Sequence, residues 1–199
     1  MGSRKAMWAV VGSVGLALAL AAVAVSADAN AKFKHIGVQS CAKMCHKSAT
    51  RGKQLAVWEK TNHAKAYKTL LTDESKEVAK KLGLKDEPHK SLKCLKCHAT
   101  ASEVPKEMHA DSFSIEDGVQ CEGCHGPGEK YKTMSAMKNP EKAKKLGRVT
   151  GDEKSCLKCH NDTSPTWKAD RYTTKDGKKV GFDYESLWRD IAHPMPKKK

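Results

Sequence analysis

The chain has 199 residues and carries 37 Lys and Arg against 23 Asp and Glu, a formal net charge of +14. Its apolar residues are densest in the first 27 positions, and the Lys-rich remainder holds three Phe and four Tyr, which excludes an ordinary apolar core of the size the length requires. The Lys residues are spread along the chain instead of forming one block, which argues against nucleic acid as a partner.

At the N-terminus, Arg4 and Lys5 precede an apolar run from Met7 to Val25, and Val25-Ser26-Ala27 supplies the small residues of a cleavage site. This predicts a secretory signal over residues 1–27, a single domain over 28–199, and export to the periplasm. Left uncut, the 19-residue run approaches the roughly 20 residues that span a bilayer and would anchor the protein to the membrane. With Arg4 and Lys5 removed, 35 basic residues face 23 acidic ones, a formal charge of +12.

All eight Cys fall into four pairs, each followed at once by His: Cys41-Ala-Lys-Met-Cys45-His46, Cys94-Leu-Lys-Cys97-His98, Cys121-Glu-Gly-Cys124-His125 and Cys156-Leu-Lys-Cys159-His160. A disulfide scaffold, zinc sites or redox dithiols would account for paired Cys. None of them accounts for the four His, whose chance placement would arise about four times in a million. Two thiols about one helical turn apart can form thioethers with the two vinyl groups on one edge of a porphyrin. The next residue then turns beneath the ring as the proximal iron ligand. The pattern therefore predicts four covalently attached haem c groups. The first site has three residues between its Cys, and the extra one is expected to bulge.

The sites are separated by 47, 22 and 30 residues, too few for a further domain between any two. Lys53 to Leu71 reads as a helix with His63 and Tyr67 on one face. Thr72 or Asp73 caps a second helix that stops at Gly83. Residues 101–119 read as loop. Asn139-Pro140 to Gly147 shows an N-cap, Pro in the first turn and Gly at the end. Residues 162–182 again read as loop, and a last helix from about Asp183 to Ala192 places His193 at its exit, before Pro194. Lys197 to Lys199 is a solvated charge run. The expected fold is mainly α with long loops and little or no β, a compact multihaem cytochrome c whose core is largely haem.

Five histidines remain for the distal positions. His63 stands beside Trp58 and Tyr67, and His193 sits near Trp188. His109 lies in the loop between the second and third sites, and His35 and His89 have polar, Lys-rich surroundings. Met134 and Met137 are the thioether alternatives, which would give a higher reduction potential than a second imidazole.

These residues resemble the tetrahaem cytochrome c-554 family. The matching segments are Cys45-His46-Lys47 followed by Trp58 and His63-Ala64-Lys65-Ala66, then Gly118-Val119-Gln120-Cys121-Glu122-Gly123-Cys124-His125-Gly126-Pro127-Gly128, and the fourth site leading to His193. The resemblance implies a carrier that receives electrons from hydroxylamine oxidoreductase in ammonia oxidation. It implies that His63 ligates the third haem and His193 the fourth. In that pattern the first haem takes its distal His from the loop after Gly-Pro-Gly, but no His lies between His125 and His160. Met134, Met137, His35, His89 and His109 stay open as replacements. The family's second haem has an open face, which His109 would close here.

The leading functional expectation is electron transfer between periplasmic or surface redox partners with acidic docking surfaces, in a respiratory chain. One alternative is an enzyme that reduces a small nitrogen oxide, nitrite, nitric oxide or hydroxylamine, at a five-coordinate haem. Another is a filament subunit that lends His35 to a neighbouring copy.

Overall fold

The structure, a computed structural model, describes residues 32–193. The signal over 1–27 and the tail Lys197 to Lys199 lie outside the described residues. Among those residues no helix is long and apolar enough to cross a membrane.

Short helices and long connections make up nearly all of the fold. In chain order they are α1 (Gly37–Cys41), α2 (Gln54–Trp58), α3 (Ala66–Thr69), α4 (Asp73–Lys81), α5 (Leu92–His98), α6 (Cys121–His125), α7 (Met134–Met137), α8 (Pro140–Lys145), α9 (Glu153–Leu157) and α10 (Tyr184–Ile191). The only β structure among the described residues besides an isolated bridge is a hairpin, β1 (Tyr172–Thr173) antiparallel to β2 (Lys179–Val180), with Tyr172 opposite Val180. It falls where the sequence reads as loop. The missed cue is Asp176-Gly177, with Gly177 at φ +83° closing the turn.

Three of the four expected helices form where their end signals stand. Thr72 Oγ1 accepts the Ser75 N–H at 3.3 Å to start α4, and Asn139 Oδ1 accepts the Lys142 N–H at 2.9 Å to start α8. Helix α10 ends one residue short of Ala192.

The helix expected from Lys53 to Leu71 is broken. Helix α2 stops at Trp58, residues 59–62 form turns and bends, and His63–Lys65 is a 3-10 turn leading into α3. Two contacts explain the break. Thr61 Oγ1 donates to the Trp58 carbonyl at 2.7 Å, so a side chain replaces the helical ladder. The Val119 N–H donates to the His63 carbonyl at 3.0 Å, bringing the chain around Gly118 against this turn. A Cβ at Gly118, whose φ is +73°, would lie 2.7 Å from that same oxygen.

Apolar burial is split among three small clusters. Tyr67, Leu70, Leu95 and Ala99 pack with Cys94 and Ile115; Val38, Ala42 and Leu55 pack with Trp58 and Cys121; Tyr131, Ala136 and Ala143 pack with Leu146. Two of the three border a Cys-Cys-His turn.

Candidate haem sites

Each Cys-Cys-His run forms a helical turn. The first continues α1 as a π-helical turn, Ala42–His46, and this wider turn takes up the extra residue between Cys41 and Cys45. The second fills the end of α5, and the third is α6 itself. The fourth begins in α9 and adds a further turn, in which the His160 N–H donates to the Cys156 carbonyl at 2.9 Å. Asp152 and Ser155 close a capping box in front of it, a signal present in the sequence but not read. All eight thiols are free and partly buried.

Three of the four proximal imidazoles are oriented by a partner on Nδ1. His46 Nδ1 faces Gln54 Oε1 at 3.1 Å, His98 Nδ1 faces the Ala66 carbonyl at 2.8 Å, and His125 Nδ1 faces the Val149 carbonyl at 3.3 Å. His193 is held likewise by the Ile191 carbonyl at 2.8 Å. An acceptor on Nδ1 places the proton there and leaves Nε2 as the donor to a metal, the usual arrangement around a ligating imidazole.

Opposed rings mark two of the sites. His63 and His160 have centroids 6.1 Å apart, and His125 and His193 are 6.0 Å apart. Metal–imidazole bonds of about 2 Å on opposite sides of one ion give a centroid separation of about 6 Å. The rings meet in a pairing other than the one the resemblance implies: His63 lies against His160 of the fourth site and His193 against His125 of the third. The fold decides this. The broken helix turns the His63 ring toward His160, and α10 delivers His193 to a narrow cleft that Trp58, Cys121, Cys124 and His125 also line. His63 borders this cleft too, yet the ring it meets is that of His160. Burial holds His63, His125 and His160 below the ordinary imidazole range, and His160 depresses His63 further. Burial thus favours the neutral form of each, the form that binds a metal.

The remaining candidates sit elsewhere. His109 directs Nε2 at the Ala101 carbonyl, 3.0 Å away, and stacks on Phe113 at 4.3 Å, so its ligating nitrogen is engaged. His35 is 8% exposed and joined to residues 108–110 by two backbone hydrogen bonds of 2.8 Å; its ring neighbours are His109 and Phe113. That burial removes it as a residue lent to a neighbouring copy. His89 lies against Tyr67, and Met134 and Met137 are 47% and 41% exposed. None of these residues has its ring against a proximal His.

His35 also predicts an acid sensitivity. Burial, aided by His109, lowers it from the ordinary value to about 4, and its Nδ1 has no partner. The unfolded chain then binds a proton that the folded chain refuses, so stability is full above about pH 6.5 and falls as pH drops toward 4. His35→Leu is expected to flatten that limb in thermal melts recorded across the window. An unchanged acid limb would place its cause elsewhere.

The sites touch in an order different from the sequence. The thiols of Cys41 and Cys121 are hydrogen-bonded, as are those of Cys97 and Cys159, while Cys124 and Cys156 are electrostatic neighbours. The bond from Cys159 draws the Cys97 thiol down to about 7 and pushes Cys159 up. First meets third, third meets fourth, and fourth meets second.

Two residues hold this arrangement, Glu122 inside the third motif and Gln120 just before it, and sequence reasoning gave them no role. Glu122, 3% exposed, accepts the N–H groups of Ile36, Gly37 and Gly128 at 2.6–3.0 Å. Gln120, 2% exposed, accepts the Val38 N–H at 2.7 Å and donates to the Ser114 carbonyl at 2.7 Å. Only the placement of an acid between two Cys could have pointed to Glu122.

Paired thiols followed by an Nδ1-anchored imidazole fit a covalently held porphyrin. They do not fit a bare ion, since among the described residues no three His, Cys, Asp or Glu converge on one point. Fold and site together define a c-type cytochrome.

A family model described as cytochrome c554 and c-prime matches residues 40–126, which span the first three sites. Cytochrome c-554 of Nitrosomonas europaea is 29% identical over 184 residues, covering 78% of this chain and 72% of the relative. No solved structure matches the chain significantly. Both findings support a member of the cytochrome c554 family, a likeness that points to a haem c protein of the electron-carrier kind.

Proposed function

We propose that this carrier is exported to the periplasm or the outer surface with residues 1–27 as its leader. There it passes electrons through four haems between respiratory redox partners. The observation that carries the reading is the contact of the four Cys-Cys-His turns in a continuous series. When bound, the haems supply one-electron iron couples; the chain's own residues fix and tune them. The thiol pairs clamp each group at one edge, and the Nδ1 acceptors set the ring orientation of His46, His98 and His125. His63 and His193 close the outer faces of the fourth and third sites, and Trp58, held by its Nε1–H to the Val119 carbonyl at 2.8 Å, walls the third against water.

Intact mass of the purified holoprotein, paired with electron paramagnetic resonance, tests this. The expected result is four haems on a chain lacking residues 1–27, with low-spin signals from at least the third and fourth irons. A mass equal to the bare polypeptide, or no Soret band, would overturn it.

A second reading, reduction of a small nitrogen oxide at an open iron, draws on one observation: among the described residues no imidazole ring lies against His46 or His98. Rapid carbon monoxide binding to a reduced iron would favour it, and uniformly low-spin spectra would remove it.

A further inference from the structure

The series of contacts has two ends, the first site and the second, and they differ in charge. Residues 32–58, which contain the first site, hold Lys32, Lys34, Lys43, Lys47, Arg51 and Lys53 and no Asp or Glu. Residues 80–107 around the second site interleave seven Lys with Asp86, Glu87, Glu103 and Glu107. Lys43, Lys47, Arg51 and Lys53 are all exposed, and among the described residues none is in an ion pair.

The loop that carries these four cations is held in shape. The Ser48 carbonyl accepts both the Arg51 and the Lys53 N–H at 3.1 Å, Gln54 Nε2 donates to the Arg51 carbonyl, and Gln54 Oε1 faces His46 Nδ1. One short closed loop therefore displays three of the cations directly beside the first proximal imidazole, and Lys43 lies three residues before it. A charge run is ordinarily just a solvated face. Here it has no acid within its own segment and is held by a fixed loop at one terminus of the electron path, where charge would raise the encounter rate of an oppositely charged partner and set its orientation.

We propose that the face formed by Lys43, Lys47, Arg51 and Lys53 is the docking surface for a redox protein with a carboxylate-rich contact face, so that exchange with this partner occurs at the first site. The proposal rests on the reading of the chain as a multihaem carrier.

The test uses the holoprotein and photoreduced flavodoxin, a small acidic one-electron donor, as the probe. Each productive encounter moves one electron from the flavin to the cytochrome. At low ionic strength the variant K43E/K47E/R51E/K53E is expected to lose about tenfold or more of the second-order rate, and to lose its decline with added salt. A control with the same change in net charge at the other end, K80E/K81E/K85E/K90E, is expected to lose far less. Equal losses in the two variants, or no loss in the first, would overturn the docking face. If the reversed variant does not mature, K43Q/K47Q/R51Q/K53Q replaces it, with a smaller fall in the same direction and the matching Gln control. Reduction by a neutral free flavin should be the same in all of them. If the wild type itself were not reduced by that flavin, the carrier reading would fail, and not the docking face alone.

Discussion

In a His63→Ala variant, one low-spin iron is expected to turn high-spin while the haem count stays unchanged. The ring stands 6.1 Å from that of His160, and its backbone is fixed by the Val119 N–H on its carbonyl. Removing the imidazole therefore leaves one coordination position without a ligand and disturbs little else. The pairing can be located by removing the fourth site as well. In a Cys156→Ser/Cys159→Ser background, His63→Ala should add no further high-spin signal, because its iron is already gone, whereas His193→Ala should still add one at the third site. The opposite pattern would restore the assignment that the family resemblance implies. An unchanged spectrum in the single variant would remove His63 as a ligand.

The second large effect concerns stability. Glu122→Ala is expected to lower the thermal midpoint of the holoprotein by about 10 °C or more, read by far-ultraviolet circular dichroism. The substitution strands three buried N–H groups, those of Ile36, Gly37 and Gly128, at about 1–3 kcal/mol each. That is a large part of the roughly 5–15 kcal/mol that holds a domain folded. Glu122→Gln should not rescue it fully, because the amide turns a donor toward donors. Glu129→Ala gives the comparison. Its carboxylate also accepts a backbone N–H, that of Lys34 at 2.9 Å, but it stands in solvent that can replace it, so a shift of a degree or two is expected. A Glu122→Ala midpoint within a few degrees of wild type would show that the buried carboxylate does not hold the N-terminal segment.

What the sequence made legible was contiguous. Two thiols and an imidazole within five or six residues specify their chemistry without help from the fold, and the ends of α4, α8 and α10 follow from side chains adjacent to them. The pairing of distal rings was not legible, because it depends on where the chain returns. His63 and His160 are 97 residues apart, and nothing local to either names the other. His109 and His35 look like free ligands in the sequence, yet one is engaged by the Ala101 carbonyl and the other is buried beside Phe113. Glu122 was missed for the converse reason. An acid in a Lys-rich chain reads as solvated, and only the return of residues 36 and 37 over α6 shows it to be a hub. The expected Lys53–Leu71 helix failed because its periodicity is sound, while the contact that breaks it comes from residue 119.

The division of apolar burial into three separate nests bears on how such a protein comes into being. A bare polypeptide of this kind has no central mass around which to condense, so cofactor attachment and acquisition of structure become one event, as in small zinc domains. A molecule that missed one attachment would keep a gap beside a nest and stay open to proteases. Degradation of these partly built molecules would then enforce the cofactor stoichiometry without a dedicated checkpoint.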